Sequence, residues 1–465
     1  MANNYFNQIV QLNVSQTVAP EPNQLQQTAA VVSMGGSEVP VGTMQYIASS
    51  ADLATYITPA YDISAISWLA GVVTVDLTNN HGIPVGETTT IVVSGVSPAA
   101  YNGTYTATAL DANSLNYSIA SNPGSSTVLG TLLIGNQVYL SAFDQTWWAQ
   151  GNTQSGYYIY ETGTLVPANV YTAVDNYIDQ NPLTVYNWCF LTEMDSDAAA
   201  GNTFFLLYNS LTALVKFYMP VRASTYSNWS GFNTLRNVFL MVQSPAASPM
   251  YELDYAAFAQ YMTAFNPSPT NKLPPSQYTF LDGVNAYKPL PQSLINSFID
   301  DNINFVTTGA EGGITNTILV PGKNLDGTPA NVAFSIDWVQ IHMNEDLANA
   351  VINGSNNPIS PLYYNQDGIN FLQQVAVNTA NRAISTGLAL GRVISVSLDP
   401  NEFATNVSTG QYRGNFVINA VPFSIYTGQN PNNYANGIYG GLQASYVPQY
   451  GFETIIFNLN VTQFA

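Results

Sequence analysis

Two histidines, His81 and His342, and one cysteine, Cys189, are all that this 465-residue chain offers for imidazole or thiol chemistry. A Ser-His-Asp arrangement would have to use one of the two histidines. His81 lies in NNHGIP, which reads as a turn. His342 lies two residues past Val339-Gln340 on a helical stretch, and neither is set in a nucleophile motif. Cys189 sits in VYNWCFL and reads as a small buried hydrophobe rather than a nucleophile. Glu193, Asp195 and Asp197, in EMDSDAAAG, resemble half a calcium loop. The glycine at the sixth position and glutamate at the twelfth are missing, so a solvated turn is the plainer reading. Asp300-Asp301 reads as a helix surface and Asp326-Gly327 as a turn. The chain has no GxxxxGK[ST], no GxGxxG after a strand, no HExxH and no GxSxG. No catalytic, cofactor-binding or metal-binding residue is assigned, no cofactor is expected, and the chain is not expected to be an enzyme. Trp147-Trp148 could stack on a sugar, yet an adjacent pair on a strand points to opposite faces and leaves one ring buried.

Charge is the scarcest resource. Only 8% of residues are charged, against about 25% in an average protein. The formal net charge is −19, and all nine Lys and Arg lie at or after Lys216. Such a surface has no electrostatic hold on nucleic acid phosphates and is repelled by anionic membranes. Scarcity makes Arg382 and Arg392 candidates for pairing with a partner's carboxylates, with a local surface ion pair as the competing reading. With 46% apolar and 12% aromatic residues the chain has ample material for a core. Low charge with 30 tyrosines suits a surface that becomes an interface. MANNYFNQIV shows no basic segment followed by an apolar stretch, so no signal peptide is expected, and no apolar run is long enough to span a membrane.

Length predicts about three domains. Residues 71–133 are rich in Val, Thr, Ser and Gly, with strands expected near 71–77, 88–94, 103–110, 114–120 and 127–133. Short strands at that spacing predict a small inserted β-sandwich or barrel. Residues 137–265 predict an α/β layer, with strands at 184–191, 203–207, 213–221 and 237–243 and helices at 170–179 and 254–265. A short helix is expected at 51–57. The last third predicts helices at 291–305, 338–352 and 367–387, then strands at 393–398 and 415–421. Ile369, Leu372, Val375, Ala376, Ala383 and Ile384 form one apolar stripe, with Asp367 as cap and Gly387 at the end.

Both chain ends alternate apolar and polar residues. Ile9, Val10, Leu12 and Val14 mark one, and Ile455, Phe457, Leu459 and Val461 the other. Period two predicts half-buried strands. They lack the Lys or Pro that solitary edge strands carry. Either they pair with another copy of the chain, or they close a sheet of their own domain.

The order of several landmarks resembles the contractile phage tail sheath family. These are Gly312-Gly313, Asp326-Gly327, Asp337-Trp338, Pro358 to Pro361, Asp367-Gly368-Ile369 and Gly387 to Gly391. The segment HGIPVGETTTIVVSGVSPAAYNGTYT, 81–106, resembles a small β module of phage virion proteins, and the closing VPQYGFETIIFNLNVTQF resembles sheath carboxy-terminal ends. The resemblance implies an α+β multi-domain protein, with a mixed α/β core built from both chain ends, an inserted all-β domain and exchanged terminal strands. The implied division is an arm at 1–27, a core at 28–66 and 281–449, the all-β insertion at 67–135, a middle α/β domain at 136–280 and a second arm at 450–465. It implies a subunit that stacks as hexameric rings around a tail tube and contracts to drive that tube through the host envelope. Implied partners are further copies of the chain, the tail tube protein, and baseplate and tail terminator proteins, without nucleic acid or membrane insertion. The implied location is the virion tail, assembled in the bacterial cytoplasm. Asp367, Arg382, Arg392 and Arg413 are the charges expected at tube or inter-subunit contacts, although the 367–387 helix is less charged than the family's. Other readings are a different self-assembling virion or surface-layer protein, or a carbohydrate-binding or enzymatic β-domain protein.

Overall fold

In the computed structural model, residues 22–452 are described, apart from 58–59, 82, 84, 87, 152–154, 164–165, 244–252, 288–290, 312–313, 397 and 410–413. Both terminal strands expected from the sequence, and Arg413, lie outside the described residues.

In chain order, β1 (Ala29–Ser33), β2 (Met44–Ile47) and the one-turn α1 (Ser50–Leu53) come first. Next are β3 (Tyr61–Leu69), β4 (Val72–Leu77), β5 (Thr88–Ser94), β6 (Gly103–Ala109), β7 (Ser114–Ser118) and β8 (Thr131–Ile134). The middle of the chain forms α2 (Gly135–Ala149), β9 (Tyr157–Glu161), α3 (Pro167–Gln180), β10 (Asn187–Phe190), α4 (Ala198–Leu207), β11 (Lys216–Val221), β12 (Val238–Val242) and α5 (Asp254–Ala264). The last third holds α6 (Gln292–Asp300), β13 (Phe305–Glu311), β14 (Ile314–Val320), α7 (Ala330–Ser355), α8 (Gln366–Ser385), β15 (Val393–Ser395), α9 (Pro400–Thr409), β16 (Phe416–Ala420), α10 (Phe423–Gln429), α11 (Pro431–Ala435) and β17 (Leu442–Tyr446).

A six-stranded sheet, ordered β12-β11-β10-β1-β9-β2, forms the centre. Its strands are parallel except β2, which runs antiparallel to β9 at one edge. β1, β10, β11 and β12 are buried at every position, as a parallel sheet covered on both faces requires. Two cores flank it. One gathers Phe143, Trp147, Tyr255 and Phe258 with the buried faces of α7 and α8. The other gathers Trp188, Phe190, Phe205, Phe217 and Trp229 with α3 and α4.

Strands β3-β4-β7-β6-β5-β8 close into a barrel with its own core of Val73, Val75, Ile91, Val93, Leu115 and Leu132. Alternation along β4 and β5 turns every second residue inward, which is why the sequence pattern places these strands well. The expected strand at 127–133 begins only at Thr131, because Thr127 and Val128 bond to Ser97 instead.

The carboxy-terminal third joins the long pair α7 and α8 to a three-stranded sheet, β15-β16-β17. Helix α8 buries Ile369, Gln373, Ala376, Ala380 and Ala383, one face at steps of three and four. Its cap is Asn365, whose side chain accepts the Gly368 N–H at 2.9 Å, and not Asp367. Helix α7 is embedded along its first half. Between Ala330 and Ile341 only Ile336 and Gln340 are half-buried, and the other positions are buried. Its second half emerges toward solvent.

Several expectations are corrected. Residues 203–207 belong to helix α4 and are not a strand. A short apolar run such as FFLL fits either element, and here Phe204 and Phe205 are buried while Leu206 and Leu207 are exposed. The helix expected at 291–305 stops at Asp300. Asn302 takes a left-handed φ of 56°, which turns the chain into β13. Trp147 and Trp148 lie on helix α2 and not on a strand. Trp147 is fully buried, and Trp148 donates its indole N–H to Asp144 at 2.8 Å. His81 is buried, with its Nδ1 accepting the Ile83 N–H at 3.1 Å.

Candidate interaction surfaces

Open parallel sheets bind ligands outside their carboxyl ends, where the strand order reverses. Here that place is β1, with β9 on one side and β10 on the other. The chain fills it with its own groups. Glu161, at the end of β9, accepts hydrogen bonds from Ser33 Oγ (2.7 Å), Gly35 N–H (2.7 Å), Ser37 Oγ (2.7 Å), Ser37 N–H (3.2 Å) and Gly163 N–H (2.7 Å). Asp195, beyond the end of β10, accepts from Trp229 Nε1 (3.0 Å), Thr225 Oγ1 (2.6 Å) and Arg222 N–H (3.0 Å). Glu193 pairs with Arg222 at 2.6 Å, yet burial holds its carboxyl above the usual range. The carboxylates of the EMDSD segment thus knit loops together, and among the described residues no group of three or more His, Cys, Asp or Glu could hold a metal ion.

A buried ion cluster ties the central sheet to α7. Asp337 is fully buried and accepts from Tyr186 Oη (2.6 Å) and from an Arg236 guanidinium nitrogen (3.0 Å). Its carboxylate also lies 2.9 Å from Lys216 Nζ. Burial lowers the Lys216 pKa despite Asp337. Cys189 is buried in the same sheet, and desolvation pushes its thiol far up, away from nucleophilic use.

Two of the charges singled out in the sequence sit at opposite ends of α8. Asp367 is exposed in its first turn and Arg382 lies in its last, each favourable to the helix dipole. Fifteen residues separate them, about 22 Å along the axis. Arg382 bonds Asp346 of α7 at 2.5 Å, and its guanidinium carbon lies 5.9 Å from the Trp338 ring centre. The aliphatic stem of Lys272 lies against Gly387, just past this end of the helix. Arg392 is exposed at the start of β15.

Two hollows flank this unit. A groove of about 630 Å³ runs between α7, α8 and β17, lined by Met343, Leu347, Ile369, Leu372, Leu442 and Ala444. A smaller one, about 340 Å³, is lined by Gln26, Pro267, Trp338, His342, Arg382 and Thr386. His342 stacks on Trp338 with ring centres 3.9 Å apart, and its Nδ1 lies 2.9 Å from the Trp338 carbonyl. Burial above all lowers its pKa, and the Arg382 charge adds to that. Sequence reasoning missed the groove because β17 carries no clear strand period.

These features define an α+β scaffold with two hollows on its carboxy-terminal unit. No family model and no curated protein matches the chain. Among solved structures it is similar to the helical sheath of the anti-feeding prophage in its contracted state, at 11% identity and a TM-score of 0.49, over 93% of this chain and 92% of that one. It is also similar to a chain of the anti-feeding prophage baseplate, at 11% identity and a TM-score of 0.49, over 94% of each chain. No described helix is long and apolar enough to cross a membrane.

Proposed function

We propose that the chain is a structural subunit of a contractile tail sheath, stacking as hexameric rings around an inner tube and shortening to drive that tube through a host envelope. The observation that carries this reading is an open sheet edge beside a groove, in a chain whose two ends read as uncharged strands. Strand β17 pairs with β16 on one side only among the described residues, and the 630 Å³ groove lies against it. Strand addition from a neighbouring copy supplies main-chain hydrogen bonds for affinity and a groove for alternate side chains. The arms are residues 1–27 and 450–465, with Ile9, Val10, Leu12, Val14, Ile455, Phe457, Leu459 and Val461 as their apolar faces.

The remaining assignments follow from that reading. Asp367, Arg382, Arg392 and Arg413 meet the tube or a neighbouring subunit. The all-β insertion, expected at 67–135 and with strands spanning 61–134, faces outward, and the segments expected as core (28–66 and 281–449) and middle domain (136–280) form one body, since β1 and β2 share a sheet with β9 to β12. Partners are further copies, the tube protein, and baseplate and terminator proteins of a virion-like tail. Repacking between two subunit arrangements needs no nucleotide when the energy is stored at assembly.

Negative-stain electron microscopy of concentrated full-length protein tests the reading. Hollow tubes with a regular ring repeat are expected. Deleting 1–20 or 450–465 should leave folded protein that forms no tubes, and tubes from either truncated chain would refute the arm assignment.

A further inference from the structure

The barrel is closed at one end of its β3–β8 seam and splayed at the other. β3 pairs with β8 only at Tyr61–Leu132 and Asp62–Thr131, and the Ile63 N–H adds one bond to the Gly130 carbonyl at 3.1 Å. The same register, continued, would set residues 64–69 against residues 129–124. That second segment is diverted. Thr127 N–H donates to the Ser97 carbonyl at 2.8 Å, Ser97 N–H donates to the Val128 carbonyl at 3.1 Å, and Tyr101 Oη donates to the Gly124 carbonyl at 2.7 Å.

The orientation of the free main-chain groups follows from the pairing. Leu77 N–H donates to Asn113, toward β7. Alternate residues turn to opposite sides, so Thr74 faces β3, where it stands opposite Ser67. Ser67 therefore bonds toward β4, while Ile66 and Trp68 direct N–H and C=O into the splayed seam. The gap is a cleft of about 740 Å³. Ser64 and Ser67 on one wall and Ser125 on the other bring hydroxyls to it, the Asn122 carboxamide accepts the Gly124 N–H, Ser126 and Thr127 are bonded to the Val128 and Ser97 carbonyls, and Trp68, Leu129 and Tyr101 complete the lining. No carboxylate, Lys, Arg or His lines it.

We propose that this cleft binds a neutral oligosaccharide. Polar groups on both walls suit a ligand that offers hydrogen-bond donors and acceptors around its whole rim, as a sugar ring does. An added peptide strand would meet one free edge only, because the opposite wall is already bonded to Ser97. An apolar cofactor is disfavoured by walls of hydroxyls, since such sites are mostly apolar. Anionic glycans are disfavoured by a chain with no Lys or Arg before residue 216.

The test presents the full-length protein to immobilised neutral oligosaccharides of glucose, galactose, mannose and N-acetylglucosamine, with oligogalacturonate as the acidic comparison. Binding to at least one neutral member is expected, together with slower hydrogen exchange at Ile66 and Trp68. Ser125→Trp, which fills the cleft, should weaken that binding at least tenfold with an unchanged melting curve. The double change Ser64→Ala and Ser67→Ala gives a second reading if the tryptophan disturbs the barrel. No neutral binding, binding unaffected by both variants, or binding of uncharged extended peptides in place of sugars would each overturn the proposal.

Discussion

The barrel and the central sheet solve one problem in opposite ways. Acidic residues outnumber basic ones by 28 to 9, so most carboxylates have no cation to meet. The barrel keeps its acids out of its core, which is aliphatic and tyrosine-rich. The sheet buries acids and surrounds them with neutral donors. Glu161 is held by hydroxyls and main-chain N–H groups, and Asp144 by Ser50 Oγ, Trp148 Nε1 and Tyr157 Oη. Asp337 instead receives two cations, Lys216 and Arg236. Neutral donors can stabilise a buried carboxylate as an ion pair does, provided enough of them converge.

The sharpest way to break this contrast is Asp337→Ala. It leaves Lys216, Arg236 and Tyr186 without their acceptor, and about 3–5 kcal/mol should be lost in urea unfolding. Little change would show that the cluster is dispensable to the sheet. Ile91→Ala, in the barrel core, should cost about 2–5 kcal/mol. If the barrel is a separate cooperative unit, only its transition moves, while the fluorescence of Trp188 and Trp229 reports an unmoved sheet. Asn365→Ala removes the α8 cap and should cost about 1 kcal/mol, read by thermal melting of the helical circular dichroism signal. Arg382→Ala should change stability by only about 0–1 kcal/mol, because the pair with Asp346 is half exposed. The same variant should reduce tube formation if Arg382 meets the tube or a neighbouring subunit.

Acid titration separates the two regions further. Burial lowers the imidazole pKa of both His81, in the barrel, and His342, on α7. The unfolded chain then takes up the proton first, so stability falls as pH drops through about 6.5 and levels off below the folded values. His81→Gln should flatten that acid limb for the barrel and His342→Gln for the remainder, as followed by melting temperature against pH.

Five of the barrel's six strands are legible in the sequence because alternation and frequent turns are local signals, whereas β3 (Tyr61–Leu69) lies mostly ahead of the expected 67–135 insertion and is not. The expected 88–94 coincides with β5, and 103–110 nearly with β6. Helix α8 is legible from its stripe, although its cap, Asn365, precedes the Asp367 that the pattern suggests. Helix α2 and strand β9 are not, since GNQVYLSAFDQTWWA mixes polar and aromatic residues without a strong stripe. The burial of Asp337 is invisible as well, because its partners Lys216 and Arg236 lie more than a hundred residues earlier. Long-range convergence leaves no local period to read.

Helix α7 has 26 residues, embedded in the core along its first half and held along its more exposed second half by α8, through Asp346 to Thr379 and Arg382. Its length is about 39 Å. Geometrically it is a lever with its fulcrum near Ile341: a tilt of about 5° there carries the far tip, about 21 Å away, through about 2 Å. A repacking too small to disturb the interior is therefore delivered, amplified, to whatever the tip touches.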